Sequence, residues 1–273
     1  MSKSTDMEQS LAIERLFMEK NWEVMRTALS PFLDLRDVRD NATAQAEGYD
    51  YMGILKPECH PKSEGPFKPC ATRLEFKADT NKPNNVCAEF LSQVHLNKKL
   101  LVAGWLLTSN ANWLLYGFSQ SRELLVVPMV AFRRYAIQKA MQASATSRFN
   151  SGPRYFSYCS LLPIEAILRE VPGSRLFKLG VVEGEPKTTR NYAPLHELGA
   201  LLAAFPGGVL NIGEGSPFEM ETWPLALPHR TWRTAEGQKK LCQMLAQLRK
   251  NDISARKNES AHDIEKSLYG QMN

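Results

Sequence analysis

Leu74-Glu75-Phe76-Lys77-Ala78-Asp79 is the stretch whose reading decides the fold. On a strand, residues two apart share a face. Glu75 and Lys77 then point one way, while Leu74 and Phe76 enter a core on the other side. Upstream, Gly48-Tyr49-Asp50 leads into a second apolar strand, read as Tyr49 to Leu55. Two carboxylates that converge from such strands offer the hard oxygen ligands that Mg²⁺ prefers. A lysine beside the ion can orient or deprotonate an attacking water. This combination suits hydrolysis of a phosphodiester. The same Glu-x-Lys string also serves as a plain charge pair on an exposed strand face, so context has to decide.

The composition is that of an ordinary water-exposed globular chain. It has 273 residues, 43% hydrophobic and 23% charged, with net charge +5. That length holds one large domain or a medium one plus a small one. No apolar run of about 18 residues is present, so no membrane span is expected. The first residues are polar and lack the apolar core of a secretory signal. The cysteines are five in number at irregular spacing, which points to reduced thiols and a cytoplasmic location.

Periodicity places the elements. Thr5 or Asp6 can cap a helix to about Leu29, with Leu11, Phe17 or Met18, Trp22, Met25 and Leu29 as its buried stripe. Residues 32–45 supply a first strand or a loop leading to it. Residues 56–72 carry four prolines and a glycine and read as an insertion loop. Strands are expected over 73–78, 86–94, 100–107, 113–118 and 124–130, then a helix over 131–145. After Pro172-Gly173-Ser174 a strand at 176–182 and helices at 195–204 and 235–249 follow. The glycines of 207–215 read as turns around a short strand, because no Gly-Lys-Ser/Thr follows them. The fold class is α/β in the broad sense (α+β), a central mixed β-sheet flanked by helices. The domain reading is 1–171 as one domain, 172–250 as a C-terminal α/β extension and 251–273 as a flexible or helical tail.

Several segments occur in a familiar order. Gln45-x-x-Gly48-x-Asp50, then Leu74 to Asp79, then Asn85 to Phe90 are followed by Gly104-Trp105-Leu106-Leu107-Thr108-Ser109 and Asn112-Trp113-Leu114-Leu115-Tyr116, and finally by Tyr155 to Pro163. From about 45 to 167 the chain thereby resembles the PD-(D/E)XK nuclease superfamily, in its phage- and plasmid-type branch. It departs from that pattern in the long insertion from Lys56 to Thr72, and in Asn112 where the family has an acid. The resemblance implies a restriction-endonuclease-like sheet and a metal-dependent endonuclease, with DNA as the expected substrate. It implies Mg²⁺ or Mn²⁺ held by Asp50, Glu75 and the backbone carbonyl of Phe76. Glu89, or Glu19 on the first helix, would add a contact, and Lys77 would position the attacking water. It also allows a homodimer. The alternative is a catalytically inactive nuclease fold kept for binding nucleic acid or protein, with the region after 172 as a protein-interaction surface.

Two further features admit two readings each. Arg133, Arg134, Lys139, Arg148 and Arg154 lie in an acid-free stretch interleaved with Phe132, Tyr135, Phe149, Tyr155, Phe156 and Tyr158. Cations for phosphates and rings for bases make a nucleic-acid surface; core aromatics beside a solvated cationic face are the other reading. Cys59, His60 and Cys70, with Cys87 or His95, could hold zinc, although the spacing is not that of a standard finger. A loop that touches substrate is the other reading there.

Overall fold

The computed structural model describes residues 6–56, 71–80, 85–95, 101–142, 146–152, 155–180, 190–204 and 229–250. Its elements in chain order are α1 (Asp6–Leu29), β1 (Leu33–Asp37), α2 (Ala42–Glu47), β2 (Tyr51–Leu55), β3 (Ala71–Asp79), β4 (Asn85–His95), β5 (Leu101–Ala103), α3 (Trp105–Thr108), β6 (Trp113–Phe118), β7 (Glu123–Pro128), α4 (Met129–Ala140), β8 (Thr146–Gly152), β9 (Tyr155–Pro163), α5 (Ile164–Glu170), β10 (Arg175–Lys178), α6 (Glu197–Ala204), α7 (His229–Trp232) and α8 (Ala235–Lys250). Among the described residues no helix is long and apolar enough to cross a membrane.

The strands form two sheets. One has six strands in the order β1-β2-β3-β6-β7-β10, the other four in the order β5-β4-β9-β8. The chain divides into two compact units. Unit 1 comprises Met1–Asn84, Asn110–Phe132 and Ile164–Trp223, and unit 2 comprises Asn85–Ser109, Arg133–Pro163 and Pro224–Asn273.

Unit 1 holds the six-stranded sheet. β1, β2 and β3 run antiparallel in turn, and β6 then pairs parallel to β3, with Glu75 opposite Leu114 and Lys77 opposite Tyr116. β6 and β7 are buried at every position, which accounts for their near-continuous apolar sequences. On one side of the sheet Leu74, Phe76, Trp113, Leu115, Leu124, Val126 and Phe177 meet Phe17, Met18, Met25 and Leu29 of α1. Phe17 and Phe76 pack with their rings tilted, the centroids 5.5 Å apart. The expected α1 stripe therefore holds at Phe17, Met18, Met25 and Leu29, whereas Leu11 is exposed. The helix turns its buried face only where the sheet lies beneath it.

The domain boundary expected at 171/172 does not coincide with the compact units. β10 forms the sheet edge beside β7, with Leu176 opposite Leu125, and α6 packs on α1. β10 and α6 are thus part of unit 1. A buried ionic knot pins this segment. Glu123 is fully buried and accepts bonds from Ser121 Oγ at 3.0 Å, Arg190 Nη1 at 2.8 Å and the Tyr192 hydroxyl.

Unit 2 holds the four-stranded sheet. The apolar run expected as one strand over 100–107 splits into β5 and the short helix α3. Gly104 is the break. A Cβ there would stand 2.4 Å from the backbone oxygen of Glu89, so only glycine lets the chain press against β4. Its N–H bonds Phe90 O at 2.7 Å, and the Thr108 hydroxyl bonds Gly104 O at 3.2 Å. Thr234 caps helix α8, its hydroxyl accepting the Gly237 N–H at 3.1 Å.

Gly104→Ala is expected to lower the unfolding free energy by about 2 kcal/mol, the usual cost of forcing extra volume into a packed site. Urea denaturation measures it, and an unmoved midpoint would mean that β4 can retreat freely.

Candidate active site

The site begins with a backbone turn. Asn41 caps α2, accepting the Thr43 and Ala44 N–H groups, and Gly48 closes that helix at φ 70° and ψ 56°. Glycine adopts this left-handed geometry without the cost that a Cβ imposes. The chain thereby reverses and delivers Asp50 to the head of β2. The Asp50 N–H bonds Leu74 O at 2.9 Å, and Asp50 Oδ2 accepts the Phe76 N–H at 2.9 Å. The aspartate is thus locked onto the strand that carries the other two groups.

Glu75 and Lys77 share a face of β3, as their spacing requires. Lys77 Nζ lies 2.8 Å from Glu75 Oε1, 3.9 Å from Asp50 Oδ2 and 3.6 Å from Glu14 Oε1. The ammonium also donates to Phe76 O at 3.0 Å, so that carbonyl faces the same centre. The structure thus brings Asp50, Glu75, Lys77 and the Phe76 carbonyl together in one cluster. Glu14 lies one turn before Phe17, so the packing of Phe17 on Phe76 carries it to Lys77.

The first-helix acid is Glu14 and not Glu19. Five residues advance a helix by about 140° beyond a full turn, and Glu19 is accordingly exposed, beside Leu11, Arg15 and Leu16. The signal for Glu14 was available. It stands three and four residues before Phe17 and Met18, on the apolar stripe, where a carboxylate needs a partner.

The electrostatics follow from burial. Glu75 has its pKa raised to about 7, chiefly because desolvation opposes its charge; Lys77 pulls it down, while Asp50 and Glu14 push it up. Glu14 is raised too, first by burial, with Lys77 opposing and Asp50 adding. Lys77 is pushed well above the usual lysine range. Burial opposes its charge, but Glu75, Glu14 and Asp50 together outweigh it.

Among the described residues, no group of three or more His, Cys, Asp or Glu is arranged to hold a metal ion as it stands. The carboxylates converge on Lys77 Nζ instead. The donor chemistry of the cluster nevertheless suits a hard divalent ion, being oxygen only: Asp50, Glu75, Glu14 and the Phe76 carbonyl.

The remaining expected residues fare differently. Glu89 lies on β4 in unit 2, in register with Cys159. Arg133 is buried and bonds Leu106 O at 2.6 Å and Ser109 O, closing the end of α3; it is not a phosphate-facing cation. Arg134 is half-buried, and Lys139 Nζ stands 5.3 Å from the centre of the Tyr135 ring. Arg148 lies on β8 opposite Tyr158. Phe132, Tyr135 and Tyr158 are core residues and offer no base-stacking surface, while the side chains of Phe149, Tyr155 and Phe156 lie outside the described residues. Arg154, Cys59, His60 and Cys70 lie outside the described residues, as does 207–215. Cys87 sits beside the Cys159 thiol and raises its pKa by hydrogen bonding. Asn112, where the resembled family has an acid, accepts the Arg73 N–H at 2.7 Å, a structural bond at the edge of β3.

No protein-family model matches the chain, and neither a curated protein nor a solved structure matches it.

A carboxyl whose pKa is raised on folding binds its proton more tightly in the folded state, so it costs stability as pH climbs. In EDTA, Glu75 should therefore make the protein lose stability between pH 4.5 and about 7. Relative to Glu75→Gln, the wild type should fall by up to about 3 kcal/mol across that window, at roughly 1.4 kcal/mol per pH unit. Denaturant titrations at pH 4.5, 6 and 8 read the difference, and parallel curves would refute the assignment.

Proposed function

We propose that the chain is a metal-dependent endonuclease of the PD-(D/E)XK superfamily, hydrolysing phosphodiester bonds with DNA as its expected substrate. The supporting observation is that Asp50 and Glu14, both remote in sequence from the neighbouring pair Glu75 and Lys77, meet that pair around the Lys77 ammonium. Asp50, Glu75, Glu14 and the Phe76 carbonyl would hold Mg²⁺ or Mn²⁺. When bound, the ion supplies charge neutralisation for the phosphate and acidifies water.

The chain's own groups do the rest. Asp50 is held in place by the Phe76 N–H, so its remaining oxygen is aimed without a search through rotamers. Lys77 stays protonated in this setting, since three carboxylates outweigh its burial. It therefore acts as a hydrogen-bond donor that orients the water and steadies charge developing on the phosphate, and not as the group that takes the proton. Glu14 and Glu75 hold the ammonium from two sides.

Cleavage of plasmid, single-stranded DNA and RNA in Mg²⁺, Mn²⁺ or EDTA tests this. Asp50→Ala and Lys77→Ala should each lose about 100-fold or more in rate, the scale of removing one electrostatic group from an active site. Asp50→Ala should also lose divalent-ion affinity by calorimetry, while Lys77→Ala still binds DNA. Full activity of the double variant ends the proposal. Nucleic-acid binding with no divalent binding would instead leave a non-catalytic nuclease fold.

Glu14→Gln keeps the size of the side chain and removes one charge from the cluster. It is expected to reduce the rate by about tenfold, less than loss of Asp50, since its bond to Lys77 is the longer of the two glutamate contacts. An unchanged rate would confine Glu14 to a packing role.

A further inference from the structure

Arg39 lies in the turn between β1 and α2, and the mechanism above leaves it unused. Its side chain is 32% exposed. Nε bonds Asp37 Oδ1 and Oδ2 at 3.0 and 3.1 Å, and Nη2 bonds Oδ2 at 2.5 Å. The guanidinium lies over the Tyr51 ring, 5.2 Å from the centroid. Tyr51 directly follows Asp50, and the turn is tied to Asp50 again by the Val38 N–H, 3.0 Å from Asp50 O. The charge of Arg39 is felt in the cluster: it favours the ionised form of Glu14, and Asp50 favours the charged form of Arg39.

Three points separate this arrangement from an ordinary surface ion pair. A guanidinium has five N–H donors in a planar fork, and Nη1 makes no hydrogen bond among the described residues. Asp37 and Tyr51 hold the group from two directions, so little orientational freedom is lost when it binds a ligand. The local charge also calls for such a group. Glu14, Asp37, Asp50 and Glu75 outnumber Lys77 and Arg39, and a polyanion drawn to this place needs a fixed cation at its margin.

We propose that Arg39 grips a phosphate of the nucleic-acid strand beside the acid cluster, with Asp37 and Tyr51 holding its guanidinium ready. This deepens the nuclease reading and rests on it. Phosphate matches the fork in shape and charge, and the free edge of the guanidinium carries its unused donors.

Fluorescence anisotropy of labelled single-stranded and duplex oligonucleotides, run over a salt series in EDTA, tests the grip without cleavage. Arg39→Ala should bind about tenfold more weakly, and its log-affinity against log-salt slope should be shallower by about one. Arg39→Lys should restore the slope but only part of the affinity, because an ammonium has no planar fork of donors. In the cleavage assay the KM of Arg39→Ala should rise about tenfold, in line with its lost affinity. Arg39→Gln keeps a planar polar group and gives the same reading should alanine unfold the turn.

Wild-type affinity and slope in Arg39→Ala or Arg39→Gln overturn the proposal. Asp50-dependent cleavage whose KM ignores Arg39 sinks the grip and spares the nuclease reading. A protein that cuts nothing, yet binds nucleic acid through Arg39, spares the grip and sinks the nuclease reading. A wild type that neither binds nor cuts sinks both.

Discussion

The gathering of three carboxylates around the Lys77 ammonium is the constraint on which the site depends. Like charges about 4 Å apart repel by about 4 kcal/mol at an effective dielectric constant near 20. One ammonium offsets only part of that repulsion. The cluster must therefore hold a proton, as the raised affinity of Glu75 indicates, or attract further positive charge. A structure that merely needed a stable strand face would bury no such excess, since apolar side chains fill the same volume at lower cost. The arrangement persists because backbone bonds fix it. Asp50 is tied to Leu74 O and to the Phe76 N–H, and α1 cannot withdraw Glu14 without parting Phe17 from Phe76.

The rest of unit 1 makes that convergence rigid. The turn at Gly48 sets where β2 begins, and the antiparallel pairing of β2 with β3 sets Tyr51 opposite Leu74. β6 then lies parallel to β3, so β3 is supported on both edges. The fully buried Glu123, bonded by Ser121, Arg190 and Tyr192, anchors the returning segment to β7. Here a buried acid is satisfied by neutral and cationic donors and holds structure. At Lys77 three acids share one ammonium. The contrast separates a structural ion cluster from one with charge left over.

Much of this was legible because short-range geometry carries it. The period of two on β3 put Glu75 and Lys77 together, and the Gly48-x-Asp50 spacing put an acid at a strand head. The alternation of Leu74 and Phe76 placed the opposite face in the core. The misses arise where a longer-range contact decided. Glu19 and Glu14 are both acids on one helix, and only the packing of Phe17 on Phe76 selects Glu14. Arg133 sits in a basic stretch, yet the end of α3 needed its donors and took it inside. The run over 100–107 looked like one strand because its apolar residues are continuous, and the contact of Gly104 with the β4 backbone broke it.

By itself the sequence determined the strands around the cluster, β2, β3, β6 and β7, the polarity of the β3 faces and the local pairing of Glu75 with Lys77, because those depend on neighbours two to four residues away. Only the tertiary structure decided which helix acid completes the cluster, that β10 closes the six-stranded sheet, and that Arg39 stands at the margin of the acids. Those outcomes depend on which surfaces meet when the chain collapses, and burial rewards the meeting of whole faces without marking any one residue in the string.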